Sequence, residues 1–535
     1  MAITGSREAE ERNPGAGRAQ RRAKRLGARL VPGLVTAVAA ASAVLVPDSC
    51  RADRWSIDRA IAAELTRTSN ADLGGPTSAP DTILALRPRI RLLGEGARLR
   101  ISGSAALNLV GYAENTQPSR LNPEIDLAAN LQAIEQFLFV DASLRASQES
   151  ANPFGPRPEA GASNENTVTT TAFRIAPRVE GTAPGLIKYR LESENGWTNE
   201  FNAPASVAPN AVGYFGRHTI AVGREPAPFG GQLEVQESLT RYRNSTLEPL
   251  KVDLARATVG YSVASDLILG VRGGWEHTNF TTDGSDNGGS IYGIDVRWQP
   301  SPRTQLTAWE EHRFFGSSWR LDFAYRTPRL AWTVASSRQL DTSPQSLLDL
   351  PATQNVPALL DAIFSSRFPD PIERARIVND LIAQRGLPTS TLQPIALQAQ
   401  RLSVLQQTTT SVAIIGVRNS VTFAAYRSKS EDALNSGPLA AATALTNNVQ
   451  YGASIALAHR LTPTVDVIGA ADWSHIESLE VGGERSIQRT LRVRVNRALS
   501  LKSVVYGGAR LRSFDSNTLV AGNEVAGFVG IDHRF

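Results

Sequence analysis

Val525-Ala-Gly-Phe-Val-Gly-Ile-Asp-His-Arg-Phe535 ends the 535-residue chain. Side chains in a strand alternate with period two, so His533, Ile531, Val529, Gly527 and Val525 fall on one side. Asp532 and Arg534 fall on the other. A strand ending on an exposed Phe gains a soluble domain little. The last strand of a membrane β-barrel must pair with the first and meet lipid on one face, and this ending suits that demand.

Working outward, the same alternation recurs from about residue 83. Trp319, Leu321, Phe323 and Tyr325 share one face of a segment whose other face holds Arg320, Asp322, Ala324 and Arg326. Leu491, Val493 and Val495 oppose Arg492, Arg494 and Asn496 in the same way. Arg or Lys facing hydrocarbon costs about 2–4 kcal/mol at the bilayer midplane, so the charged faces belong in a watery lumen. Short links, such as Thr327–Arg329 and Thr462–Thr464, alternate with longer Gly/Asn/Asp/Ser-rich ones, such as Glu149–Glu165 and Ser430–Asn447. The pattern predicts an all-β transmembrane antiparallel barrel of roughly 18–22 strands, even in number, with both termini on the periplasmic side. Ser56–Thr68 is read either as the first strand or as a short periplasmic helix.

Charge supports a leader. The chain has 56 Lys/Arg and 51 Asp/Glu, and residues 1–30 hold eight of the former and three of the latter, leaving 48 of each. The basic excess therefore sits in the leader and gives no reason to expect nucleic acid. A basic stretch followed by the apolar run Leu30–Ala43 reads as a signal peptide over 1–43, with Ala41-Ser42-Ala43 as the cleavage site or cleavage as late as 52. The alternatives are an uncleaved anchor and a lipidated Cys50. That cysteine is the only one, so the mature chain can form neither an internal disulfide nor a thiolate metal site. The expected organisation is then an N-terminal segment 44–82, barrel strands over 83–340, a helical insert over 341–401 and barrel strands over 402–535.

The insert announces itself by helix signals. Asp370 reads as an N-cap, Pro371 as the first helical residue and Glu373 as the reciprocal capping residue. Ile372, Ala375, Val378, Leu381 and Ile382 form an apolar stripe that stops at Gly386 and Pro388. A shorter helix, Pro357–Phe364, precedes it. The strand count brings the insert out of, and back into, the outer end of the barrel. Its stripe must pack on something, either as a plug inside the lumen or as an outer cap.

No chemistry stands out. His277 and His475 lie near the outer ends of strands with no nucleophile at a recognisable spacing, so they read as rim residues. No catalytic residue, metal site or cofactor is expected. Alternation places Arg190, Arg256, Arg297, Arg320, Arg492, Arg494, Arg510 and Arg512 in the lumen. They form either a basic tract that steers an anionic solute such as an acidic polysaccharide, or one half of a structural ladder of Arg–carboxylate pairs.

Arg87–Arg100, Phe139–Gln148 with Pro153–Pro156, Phe368–Arg374 with Arg385–Pro388, and Gly416–Ser420 together resemble the outer-membrane proteins associated with the PEP-CTERM/exosortase sorting system. That family is encoded with exopolysaccharide genes. Phe535, His533 and Ile531 resemble the terminal signal read by the barrel-assembly machinery, with His533 standing where an aromatic is usual. The resemblance implies a non-enzymatic barrel in the bacterial outer membrane, in contact with its lipid and that machinery. It would serve as a channel or surface-assembly component in exopolysaccharide export or PEP-CTERM protein sorting, with export partners or an anionic polysaccharide. The alternatives are a general porin for small solutes and, further off, an outer-membrane hydrolase.

Overall fold

A computed structural model describes residues 54–535 apart from 76–77, 158–165, 202–211, 244–247, 281–287, 349–355, 397–401 and 434–446. The signal-peptide reading lies outside the described residues.

Twenty-two antiparallel strands form one sheet that closes on itself. The first eight are β1 (Arg54–Thr68), β2 (Asp81–Glu95), β3 (Leu99–Tyr112), β4 (Arg120–Ile134), β5 (Leu138–Ser150), β6 (Thr167–Ala183), β7 (Ile187–Phe201) and β8 (Gly213–Arg224). Then come β9 (Phe229–Tyr242), β10 (Leu250–Ala264), β11 (Leu267–Thr278), β12 (Gly288–Ser301), β13 (Thr304–Arg313), β14 (Gly316–Arg326) and β15 (Leu330–Thr342). The insert supplies α1 (Ser343–Leu348), α2 (Val356–Phe364) and α3 (Pro371–Arg385). It is followed by β16 (Leu402–Ile415), β17 (Asn419–Asp432), β18 (Asn448–Thr462), β19 (Val465–Ser478), β20 (Arg485–Ala498), β21 (Ser503–Ser516) and β22 (Gly522–Arg534).

Each strand pairs with its sequence neighbours, and β1 pairs with β22 from Ala60↔Arg534 to Thr68↔Ala526. Ser56–Thr68 is thus a strand and the barrel begins at Arg54, earlier than the expected boundary at 83. Ile57, Ile61 and Leu65 recur every fourth residue, a spacing that one face of a strand and one face of a helix share. The insert likewise starts at Ser343, since Asp341 and Thr342 still pair with β16.

The links at the end of the barrel holding Phe535, here the terminal end, are two to four residues long. The opposite, loop end carries the long connections and a two-residue exception, Phe314–Phe315. Apolar side chains point outward: Leu65, Val271, Ile294, Val493 and Val529 are all exposed. Aromatic contacts mark both rims, with Phe173, Trp197 and Tyr214 toward the loop end and Phe323 against Trp332 toward the terminal end. A lipid-facing apolar band between aromatic girdles is what a transmembrane barrel requires.

Candidate functional site

The insert is built from strong local signals. Asp370 caps α3 by accepting the Ile372 N–H at 3.0 Å, and Pro371 opens the helix where no N–H is needed. Arg374 reaches back to Asp361 at 2.6 Å and ties α3 to α2. Gly386 ends the helix at φ 61°, where its N–H meets the Ile382 carbonyl. A Cβ at this position would run into Asn496 and Ile468 of the barrel wall. Gly386→Val is therefore expected to cost the insert about 1–2 kcal/mol from the left-handed conformation alone. Limited proteolysis of the folded barrel should show earlier cleavage within residues 356–396.

The helices lie inside the barrel. At the loop end, Pro344 and Leu348 of α1 sit where Gly213 of β8 and Gly196 of β7 leave no side chain in the way. At the terminal end, Val356, Leu359, Leu360 and Ile363 of α2 join Val378 and Ile382 of α3 in a buried cluster. Its other members include Ala331, Ala413, Ala458 and Ile468, the lumen-facing residues near the terminal ends of β15, β16, β18 and β19. The insert thus runs the length of the lumen before it returns.

Three contacts hold its far end. Arg385, buried in the last turn of α3, donates to the Ser420 hydroxyl, to the Val417 carbonyl at 3.2 Å and to the Gly416 carbonyl at 3.5 Å. All three acceptors belong to the β16–β17 turn or its edge. Burial lowers the pKa of this guanidinium and nearby Arg460 pushes the same way, opposed by Asp466; an arginine stays charged nonetheless. Arg534 of β22 pairs with Asp380 at 3.3 Å, and Arg326 of β14 donates to the Ala362 carbonyl at 3.5 Å.

The return leg is pinned at Ile395, whose N–H and carbonyl both bond the Gln450 side chain, at 2.9 and 3.1 Å. Ile395 packs with Ile476 and with Phe154, which is wholly buried. Phe154 belongs to the β5–β6 loop, so this loop also folds inward. Arg157 in the same loop donates to the Tyr426 hydroxyl and the Gln393 carbonyl, both at 2.6 Å. Its own N–H meets Gln488 at 3.0 Å, and its carbonyl accepts from Arg512 at 2.8 Å. One arginine joins the loop, the insert and three strands.

The lumen has two unlike walls. Beside α2 and α3, the middle of β16 to β18 has small, uncharged inward positions: Thr409, Ser411 and Ala413 on β16, Ser420, Thr422 and Ala424 on β17, Ser454, Ala456 and Ala458 on β18. Small side chains let a helix approach the sheet closely. The wall from β4 to β14 is charged, and Glu124, Asp126, Arg190, Arg297 and Arg320 on it remain exposed to solvent inside the barrel.

All eight arginines expected in the lumen point inward, and the structure places most beside carboxylates. Arg190 pairs with Glu192, and Arg320 with Asp322 at 2.6 Å. Arg297 lies between Glu225 at 3.5 Å and Asp295 at 3.9 Å. Arg256 bridges Glu234 at 2.8 Å and the buried Glu311 at 2.9 Å, and Glu311 also takes Arg272 at 3.2 Å. Arg510 and Arg512 share Glu524 at 2.5 and 3.3 Å. Arg494 instead covers the Tyr506 ring at 3.7 Å, and Arg492 faces the Phe528 ring at 5.9 Å. The ladder of ion pairs describes most of these arginines better than a free basic tract.

Phe535 donates its N–H to the Arg59 carbonyl at 3.0 Å at the β1–β22 seam. Ile531 faces outward, and His533 meets the Ser503 hydroxyl at 2.9 Å with its ring edge-on to Phe535. Glu373 lies in the first turn of α3. His277 and His475 both face outward near the loop end, as rim residues do. Sequence reasoning did not single out Arg385, Arg157 or Phe154 individually, although each falls in or beside a stretch quoted for the family resemblance.

No family model and no curated protein matches the chain. Among solved structures it is similar to the siderophore receptor PirA of Acinetobacter baumannii (TM-score 0.42, 9% identity, covering 90% of this chain and 80% of that one). It is also similar to the FrpB iron transporter of Neisseria meningitidis (TM-score 0.43, 9% identity, 89% and 81%). A third is a mutant of the ferric enterobactin receptor of Pseudomonas aeruginosa (TM-score 0.40, 9% identity, 90% and 81%). Likeness at this level carries no residue role and no substrate to this chain.

Proposed function

We propose that this chain is an outer-membrane channel closed by its own insert, and that it serves exopolysaccharide export or the assembly of sorted proteins at the cell surface. The observation that carries the reading is the insert's path: it enters at the loop end, crosses the lumen and is fastened to the β16–β17 turn by Arg385. A barrel of 22 strands is wide enough to need such a filling if it is not to stand open. The family resemblance supports the exopolysaccharide context. Most of the stretches that carry it, Pro153–Pro156, Phe368–Arg374, Arg385–Pro388 and Gly416–Ser420, are parts of the inward loop, the insert or the turn that holds it.

The pairing of most lumen arginines with carboxylates moves the expected cargo away from a strongly anionic polymer, because paired charges present dipoles rather than net field. Deleting residues 345–400 and recording single channels in planar bilayers tests the closure; conductance rises several-fold if the insert blocks the lumen, and unchanged conductance refutes it. A strain lacking the protein, assayed for secreted polysaccharide and for small-solute uptake, tests the cargo. A general porin is the second reading, favoured by the solvent-exposed charged wall from β4 to β14. It requires the intact protein to conduct steadily.

A further inference from the structure

Near the loop end, β17 to β20 carry a cluster on the lipid-facing side that the channel does not use. Arg427 faces outward and lies over the Tyr451 ring at 6.0 Å. Tyr451 pairs across the sheet with His475, their rings 6.1 Å apart, and His475 also meets Trp473 edge-on at 6.4 Å. Trp473 pairs in turn with Arg489, which is exposed. The two arginines therefore flank three aromatic rings over four adjacent strands.

Several other outward cations at this level are neutralised. Lys251 sits between Glu237 at 3.2 Å and Asp253 at 3.3 Å, Lys429 takes Glu431 at 2.6 Å, and Arg67 takes Glu114. Among the described residues, neither Arg427 nor Arg489 has a carboxylate partner, and the buried Nε2 of His475 has no hydrogen-bond partner. On the side toward the terminal end the same strands expose Phe423, Ile455, Leu457, Leu491 and Val493. Unpaired cations at headgroup height above an apolar wall complement an anionic head on acyl chains.

We propose that this face binds a phosphorylated lipid of the outward leaflet, with Arg427 and Arg489 on the phosphates and Tyr451, His475 and Trp473 against the sugar or glycerol of the head. Guanidinium groups suit phosphate because their donors form a planar fork. The acyl chains lie along Phe423, Ile455 and Leu491. The cargo of the lumen plays no part.

The test uses the full-length barrel in phosphatidylcholine vesicles containing either diphosphorylated lipid A or the same lipid with its phosphates removed. Bound lipid is counted by native mass spectrometry after detergent release. The wild type should retain the phosphorylated lipid and not the dephosphorylated one. Arg427→Gln/Arg489→Gln should retain about thirty-fold less, the loss expected for two surface cations. Arg427→Lys/Arg489→Lys should recover part of it, and Lys251→Gln should behave as wild type. Heat-modifiable gel mobility shows that each variant is folded. Equal retention by the Gln double variant overturns the proposal, as does equal retention of the dephosphorylated lipid. Displacement of the lipid by millimolar inorganic phosphate also overturns it, by showing a site for a free anion.

Discussion

Arg385→Ala is expected to raise the ratio of open to closed channel by about two orders of magnitude while leaving the barrel folded. The side chain is buried and makes hydrogen bonds to Ser420 and to the carbonyl of Val417, with a longer one to Gly416. Bonds to a charged group contribute roughly 1.5–3 kcal/mol each, and removing the guanidinium leaves the buried Ser420 hydroxyl without its donor. About 3 kcal/mol lost from the closed state corresponds to a shift of roughly a hundred-fold. The apolar cluster of α2 and α3 still favours docking, so the channel should flicker rather than stay open. Single-channel recording gives the open probability; Arg385→Lys, which keeps the charge but not the fork, should fall between. A wild-type record from Arg385→Ala would mean that the β16–β17 turn is not a latch.

Glu311→Ala is expected to destabilise the barrel itself. The Glu311 side chain is 1 % exposed and serves Arg256 and Arg272 together, and Arg272 also lies over the Trp309 ring at 4.8 Å. Removing the carboxylate leaves two guanidinium groups in one another's field, partly buried, with Glu234 and Asp295 to share. Breaking a buried ion pair from one side costs about 3–5 kcal/mol. The unfolding midpoint in urea should fall accordingly, read from heat-modifiable gel mobility. Glu311→Gln, which keeps the shape but not the charge, should lose nearly as much. Arg320→Gln, whose partner Asp322 is exposed, should lose little.

The barrel was legible because its physics is local and repeated. Lipid outside and water inside impose a period of two on every strand, so parity read from Leu491–Asn496 or Trp319–Arg326 survives in the structure. The helix at 371–385 was legible for a similar reason: Asp370, Pro371 and Gly386 act within one turn. The direction the insert takes depends on partners far away. Its docking wall does leave a trace, since β16, β17 and β18 place Ser, Thr and Ala at inward positions where a water-facing wall would carry charge. The lumen charges misled differently. The carboxylates that answer Arg256, Arg510 and Arg512 are Glu234, Glu311 and Glu524, which stand on neighbouring or more distant strands. Counting inward arginines along single strands therefore overstated the positive field.

Both legs of the insert hang from one rim, because Thr342 and Leu402 are themselves paired. The cluster that Val356 joins includes Ala331, eleven residues and about 36 Å down β15 from Thr342. With both ends held at that rim, the helices can leave the lumen only by the end at which they entered. Mechanically this is a stopper tied to one rim, which can be drawn out and reseated without being lost.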